Sequence, residues 1–257
     1  VLLFPLLLLT GSLSAQLNGT YTVGPTGTYT TLAAAITALQ TNGVSGPVFM
    51  DLESGTHVGN WTLTAIAGAS AVNTITFRSQ ALDSMAVRLY QGVSGPVLTL
   101  DGCAHVSFRH IEIQGTHNEA VMLNGTLVNV ALTNNIFSQS APLYVNVRGV
   151  LNGGGELVLH QNRFAGGTHG VQLSCTGGTT DLSVSGSTFS AYSNTAININ
   201  AAVVVNVERN RFIGTTGSNR PMNVQLGGGP LRILKNLISA SSSATMVQVI
   251  GTNSPTE

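Results

Sequence analysis

The sequence predicts an all-β solenoid, a single-stranded parallel β-helix whose coils are about 25 residues long. A phrase of alternating apolar and polar residues, ending in Phe or Ile, recurs at intervals of 23 to 27 residues. A second apolar segment recurs with the same mean period. Short turns rich in Gly and Asn separate the two, so no repeat unit has room for a helix of its own.

The first series of phrases shows the repeat most clearly. Aligned on their last residue, the phrases are VSFRHIEI, VALTNNIF, LVLHQNRF, LSVSGSTF, VNVERNRF and LRILKNLI. The second series opens at Val97, Val121, Leu143, Val171, Ile197, Met222 and Met246. Successive coils of such a solenoid lie about 4.8 Å apart. Aligned positions therefore become columns that run along its axis.

Two of these columns are predicted to be structural. One contains Ile111, Asn135, Asn162, Ser187, Asn210 and Asn236, and the other contains Ile113, Phe137, Phe164, Phe189, Phe212 and Ile238. We expect the rings to stack within the core. The asparagines are expected at a corner, where Asn tolerates left-handed backbone and its amide can bond the neighbouring coils. The alternative interpretation is a ligand-binding row of asparagines.

The start of the chain differs from the repeats. Residues 30–43, TTLAAAITALQTNG, predict a helix with a Thr N-cap, an apolar face and an Asn-Gly stop, which would cover the open end of the first coil. Residues 1–15 are predicted to be a signal peptide that lacks its basic n-region. Residues 16–45 would form an N-terminal strand and the capping helix. Residues 46–257 would form the β-helix, which is expected to continue beyond the C-terminus.

Over about residues 20–250, the coil phrases and the opening GTYTVGPTGTYTTLAAAITALQTNGVSGPV resemble secreted bacterial repeat proteins with the right-handed, pectate-lyase-like (pectin lyase-like) parallel β-helix. This resemblance implies a right-handed coil and a short N-terminal capping helix. The motifs of polygalacturonases are incomplete here. Thr168-His169-Gly170 matches their Gly-His-Gly only in part, there is no Asp-Asp, and Arg232-Ile-Leu-Lys235 is one residue longer than their Arg-x-Lys.

The charge composition, the Cys positions and the His spacing limit the possible partners and cofactors. Only 8% of residues are charged, and ten basic residues balance ten acidic ones. A neutral chain lacks the basic face that nucleic acid requires. Cys103 and Cys175 are predicted to lie three coils, or about 14 Å, apart, which is too far for a disulfide. The His spacing predicts no transition-metal site. No cofactor is expected, except Ca²⁺ if the protein is a lyase.

Glu156, Asp181 and His160 are the candidate catalytic residues, and the two acids are the best pair. Both directly precede a strand, at the same repeat position in adjacent coils, and His160 lies on the same outward face. Two nearby carboxylates can serve glycoside hydrolysis or hold Ca²⁺ for lyase chemistry. The alternative interpretation is a pair of solvated acids at the exit of a turn.

Arg209, Arg211 and Lys235 are the candidate ligand-binding residues. Arg209 and Lys235 share a column in adjacent coils, while Arg163 and Arg211 share another two coils apart. Because like charges on adjacent rungs repel, this arrangement favours an anionic partner such as an acidic glycan. Ordinary surface charge is the alternative.

Three functional hypotheses remain. The first is a secreted or cell-surface, non-catalytic β-helix scaffold that is adhesin-like or carbohydrate-binding. The second is a polysaccharide lyase or glycoside hydrolase acting on acidic polysaccharide, and the third is a structural fibre unit. The expected partners are an extracellular polysaccharide or cell surface and further domains of the same chain, with no nucleic acid and no membrane span once the signal is removed.

Overall fold

The structure is a computed structural model of the chain. The structure describes residues 15–91, 93–116, 118–140, 143–153, 155–176, 180–201, 204–214, 219–226, 229–239 and 247–251. All but the last residue of the predicted signal segment lies outside the described residues, as do Met246 and residues 252–257.

The described strands form three parallel sheets that the chain visits in turn. Sheet 1 contains β1 (Leu17–Val23), β2 (Val44–Leu52), β5 (Ile75–Ser79), β8 (Val106–Arg109), β11 (Val130–Thr133), β14 (Gly155–His160), β17 (Thr180–Ser185), β20 (Val204–Glu208) and β23 (Leu231–Leu234). Sheet 2 contains β3 (Gly55–Gly59), β6 (Val87–Gln91), β9 (Glu112–Gly115), β12 (Ile136–Gln139), β15 (Arg163–Ala165), β18 (Thr188–Ser190), β21 (Arg211–Ile213) and β24 (Leu237–Ser239). Sheet 3 contains β4 (Trp61–Leu63), β7 (Leu98–Asp101), β10 (Val121–Gly125), β13 (Val147–Leu151), β16 (His169–Cys175), β19 (Thr195–Ala201), β22 (Arg220–Leu226) and β25 (Val247–Gly251).

This arrangement confirms the predicted fold class, an all-β parallel β-helix with an N-terminal helix. Each coil contributes one strand to each sheet, and β2 to β25 make eight such coils. The pairing register also confirms the first series of phrases, because Ile113, Phe137, Phe164, Phe189, Phe212 and Ile238 pair in succession along sheet 2.

The second series needs three corrections, one of which is that Val247, rather than Met246, pairs with Met222. Val147, rather than Leu143, pairs with Val121 and Val171, and Leu143 is 75% exposed in the preceding turn. Leu98, rather than Val97, pairs with Val121. Val97 and Leu98 are both fully buried. Where several apolar residues adjoin the start of a strand, the hydrophobic pattern therefore does not fix the pairing register to a single residue.

Helix α1 (Leu32–Asn42) begins and ends as its sequence predicts. The hydroxyl of Thr31 accepts a hydrogen bond from the N–H of Ala34 at 3.1 Å and so caps the first turn. Gly43 ends the helix at φ +67°, and its N–H donates to the carbonyl of Leu39. The buried face joins the core and contacts β1, β2 and β4. The helix thus covers the end of the solenoid at which sheets 1 and 3 begin. Within the described residues, no helix is long and apolar enough to cross a membrane.

Candidate functional sites

The asparagine column lies at the corner between sheets 1 and 2, and it is buried. Asn135, Asn162 and Asn210 are 1–2% exposed. The Oδ1 of Asn162 accepts from the N–H of Asn135 at 2.9 Å, and its Nδ2 donates to the carbonyl of Leu132 at 2.7 Å. Asn135, Asn210 and Asn236 make the same two bonds to the coil before them. Each asparagine therefore satisfies two backbone groups at a buried corner, which would each cost about 1–3 kcal/mol if left unpaired.

The left-handed backbone at this corner belongs to the residue before each asparagine. That column contains His110, Asn134, Gln161, Gly186, Arg209 and Lys235, all with φ between +53° and +60°. The expectation that the asparagines adopt this conformation is wrong by one position. The asparagine is fixed instead by its inward side chain, while the preceding residue turns the chain and points its side chain outward. Such a backbone costs about 1–2 kcal/mol for a residue other than Gly.

The phenylalanine column is a continuous stack within the core. The ring centroids of Phe137, Phe164, Phe189 and Phe212 follow one another at 5.0, 4.5 and 5.1 Å, with interplanar angles of 18° or less. The repeat did not reveal a second stacked pair, Phe77 and Phe108 in sheet 1, at 4.6 Å. Both columns thus serve the scaffold, and the residues free to bind a ligand are the outward ones.

Glu156 and Asp181 are paired across adjacent strands of sheet 1. Both are exposed, and neither carboxylate has an ion-pair partner among the described residues. Their backbones lie one rung, or about 4.8 Å, apart. The structure therefore brings these two acids together, on an open surface.

His160 is not part of that pair. It lies four residues further along the strand from Glu156, or about 13 Å, and its Nδ1 is 2.8 Å from the Oγ of Ser185 on the next rung. Glu208 follows Ser185 in the same column. His160 thus shares the outward face of sheet 1 with Glu156, as predicted, and the partner of its ring is the hydroxyl of Ser185.

His169, the centre of the partial Gly-His-Gly motif, is buried at the start of β16. Its Nδ1 is 3.0 Å from the carbonyl of Thr195, so the neutral ring donates from that nitrogen. Burial lowers the pKa of His169, and the bond to Thr195 opposes that shift. A buried ring whose Nδ1 proton is held by a carbonyl is suited to packing.

Arg209, Arg211 and Lys235 are all exposed near the corner between sheets 1 and 2. Arg209 and Lys235 occupy the left-handed column. Arg211 lies on the outer face of sheet 2, two rungs from Arg163. Elsewhere, Arg78, Arg88 and Arg148 form ion pairs with Asp51, Glu112 and Glu119.

The outer face of sheet 3 holds a polar groove that the sequence reasoning missed. We call it the amide groove, and its volume is about 250 Å³. Its polar lining includes Arg148, Gln172, Ser174, Asn198, Asn200 and Gln225. Among the described residues, Gln172, Ser174, Asn200 and Gln225 have no side-chain hydrogen-bond partner. Asn223 also lines the groove, donates to Asn198 at 3.0 Å, and has a buried Oδ1 without a partner in the described part of the chain.

The register explains how the groove forms. Arg148, Gln172, Asn198 and Asn223 pair in succession as one outward column, and Val150, Ser174, Asn200 and Gln225 pair as a second. The inward residues between them belong to the core. The signal was visible in the strands VQLS, ININ and MNVQ, whose outward letters are mainly amides. A search for charged catalytic groups passes over them.

No group of three or more His, Cys, Asp or Glu side chains that could hold a metal ion occurs among the described residues. Cys103 and Cys175 are free, with Cys103 buried and Cys175 half-buried. Burial raises the pKa of Cys103 to about 12 and that of Cys175 to about 11. Both thiols are therefore protonated at neutral pH.

Comparisons with known proteins identify no family for this chain. No protein-family model matches the sequence, and no curated protein matches it. Among solved structures, the pectin methylesterase from Aspergillus niger in deglycosylated form is 15% identical, covers 94% of this chain and 89% of that one, and has a TM-score of 0.41. The same enzyme in penultimately deglycosylated form is 14% identical over 95% and 88%, also with a TM-score of 0.41. Identities this low carry no information on activity.

Proposed function

We propose that this protein is a non-catalytic β-helix scaffold, secreted or at the cell surface, that binds an extracellular polysaccharide along the amide groove. The observation that carries the proposal is the row of amide and hydroxyl side chains without partners on the outer face of sheet 3. Each amide offers two donors and an acceptor. These are the groups that sugar hydroxyls require as partners.

The geometry of the groove supports an extended ligand. Its polar columns repeat at the rung spacing of about 4.8 Å along the solenoid axis. A polymer lying along that axis would therefore meet an amide or hydroxyl at each coil. The groove is open to water, so each contact exchanges one hydrogen bond for another and contributes little alone. Affinity then depends on occupying several coils at once.

The chemistry of the groove supports binding rather than cleavage. Glycoside hydrolysis needs two carboxylates about 5–9.5 Å apart, and no carboxylate among the described residues lines the amide groove. Arg148, at one end, is held by Glu119 at 3.1 Å. The groove is thus suited to a neutral or weakly charged glycan.

The test is a glycan array followed by affinity measurements on a bound oligosaccharide. We expect the double variant Asn198→Ala plus Gln225→Ala to lose at least tenfold in affinity. The matched control, Ser183→Ala plus Asn206→Ala, removes two polar side chains from the outer face of sheet 1 and should bind as the parent does. Equal binding by both double variants would contradict the proposal.

A second candidate is a polysaccharide lyase or glycoside hydrolase, and the adjacency of Glu156 and Asp181 favours it. Paired strands allow two carboxylates the separation of about 5 Å that retaining enzymes use. The test is reducing-sugar release, or unsaturated-product absorbance, on acidic polysaccharides. Turnover that disappears in Glu156→Gln plus Asp181→Asn but persists in His160→Gln would establish this candidate over the first.

A further inference from the structure

Half of the protein's cations gather at one corner. Five of its ten Lys and Arg residues surround the corner between sheets 1 and 2 in the later coils: Arg163, Arg209, Arg211, Arg232 and Lys235. We call this group the cationic corner. Arg209 and Lys235 turn the chain at the corner itself, Arg232 lies on the outer face of sheet 1, and Arg163 and Arg211 lie on that of sheet 2. All five are exposed.

The cationic corner lacks the neutralising acids found elsewhere. Arg78, Arg88 and Arg148 each have a carboxylate within 3.1 Å. None of the five corner cations forms an ion pair among the described residues. Glu208 is the nearest acid in the sequence, directly before Arg209. A protein with zero net charge thus carries a local excess of positive charge that its own side chains leave unpaired.

Two features make this arrangement unfavourable in the isolated protein. Arg209 and Lys235 have φ of +55° and +53°, although Gly186 fills the same column two coils before Lys235 at no such cost. The N–H of Arg209 donates to the carbonyl of Leu234, so Arg209 and Lys235 lie on adjacent rungs, where like charges repel. The left-handed backbone is common to every coil in this column. What distinguishes these two coils is that each places a cation there, on adjacent rungs and without an ion-pair partner among the described residues.

We propose that the cationic corner binds a linear acidic polysaccharide lying along the solenoid axis. Carboxylates or sulfates spaced along such a chain would neutralise Arg209 and Lys235 on adjacent rungs and the flanking Arg163, Arg211 and Arg232. A nucleic acid fits less well, because single strands also need exposed aromatic rings for base stacking and the ring in this corner, Phe212, is buried. This second surface differs from the amide groove in both position and ligand chemistry.

The first experiment measures binding of polygalacturonate oligomers at low and moderate salt. The variant Arg209→Gly plus Lys235→Gly should bind 10- to 100-fold more weakly at low salt, with a shallower salt dependence. Its melting temperature should equal or exceed that of the parent, because Gly relieves the left-handed backbone. A purely structural role for these residues would instead lower the melting temperature. Unchanged affinity would overturn the proposal, as would a parent that does not bind the oligomers at low salt.

Matched variants separate this site from general charge and from the amide groove. Arg88→Gln plus Arg109→Gln removes the same charge from the earlier coils and should retain affinity within threefold. Arg163→Gln plus Arg211→Gln keeps the corner backbone unchanged and should bind at least fivefold more weakly. Asn198→Ala plus Gln225→Ala should bind polygalacturonate as the parent does, so the two sites can fail separately. Equal or tighter binding of a single-stranded oligonucleotide of matched charge would overturn the assignment to an acidic glycan.

Discussion

Asparagine is used in two different ways on the two sides of the β-sheet wall. Inside, at the corner between sheets 1 and 2, Asn135, Asn162 and Asn210 are buried, and each bonds two backbone groups of the preceding coil. Outside, on sheet 3, Asn200 and its amide neighbours line a groove and leave donors and acceptors open. The difference shows that recurrence of a residue marks the scaffold, while outward side chains without partners mark the candidate binding surface.

The strongest way to break this comparison is to truncate one asparagine of each kind. Asn162→Ala should lower the free energy of unfolding by about 2–5 kcal/mol, because it leaves the N–H of Asn135 and the carbonyl of Leu132 unpaired in a buried corner. Asn200→Ala should change it by less than about 0.5 kcal/mol, as for other surface positions. Urea denaturation measures both. Similar losses for the two variants would contradict the assignment.

A gain-of-stability variant sharpens the same comparison. Ser187 occupies the asparagine column; its Oγ accepts from the N–H of Asn162 and donates to Ser185 within its own coil. In Ser187→Asn the amide should also donate to the carbonyl of Leu159, as Asn210 does to Val184 one coil later. We expect a gain of about 1 kcal/mol, seen as a higher melting temperature. Ser183→Asn, on the outer face, is the control and should give no gain.

A pH titration tests whether the buried histidine behaves as part of the scaffold. Burial holds the pKa of His169 below its ordinary value of 6.5, so the folded state resists protonation that the unfolded chain accepts. The stability that depends on the neutral ring is therefore complete above about pH 6.5 and falls as the pH decreases through that value. Melting temperatures between pH 8 and 5 should show this decline in the parent and in His160→Gln. They should show less of it in His169→Gln, and an equal slope in that variant would count against the interpretation.

The smallest expected effect concerns the thiols. With pKa values of about 12 and 11, Cys103 and Cys175 should react with a thiol reagent at pH 8 far more slowly than a free cysteine, whose pKa is about 8.5. After unfolding in denaturant, both should titrate as free thiols without prior reduction, and a reductant should not alter the melting temperature. An intact disulfide in mass spectrometry would refute the coil register on which the comparison depends.

The residues that face the core could be predicted from the sequence, and most of those that face outward could not. Phe164 and Asn162 recur because every coil needs the same packing and the same corner bonds, so their columns were visible in an alignment of the chain with itself. The left-handed column could not be found in this way. Its residues are as different in type as Gly186 and Arg209, because only their backbone is constrained and their side chains point to solvent.

The amide groove was missed for a related reason. Gln172 and Gln225 carry no charge, and nothing in the repeat distinguishes their strand positions from other polar ones. Glu156 and Asp181 were correctly placed on adjacent rungs because register follows from the repeat. Whether that pair performs chemistry depends on loops and ligands that periodicity does not describe.

Each column asparagine bonds backbone groups of the coil before it: its Oδ1 accepts from an N–H, and its Nδ2 donates to a carbonyl. Each coil therefore completes the corner of its predecessor and leaves its own corner to its successor. A corner that is followed by an asparagine is thus complete only when the next coil is in place. Deletion of one whole coil, from one column asparagine to the next, would keep the bonds between each asparagine and the corner before it. Deletion of half a coil would misalign the asparagines, so that one corner would lose these bonds.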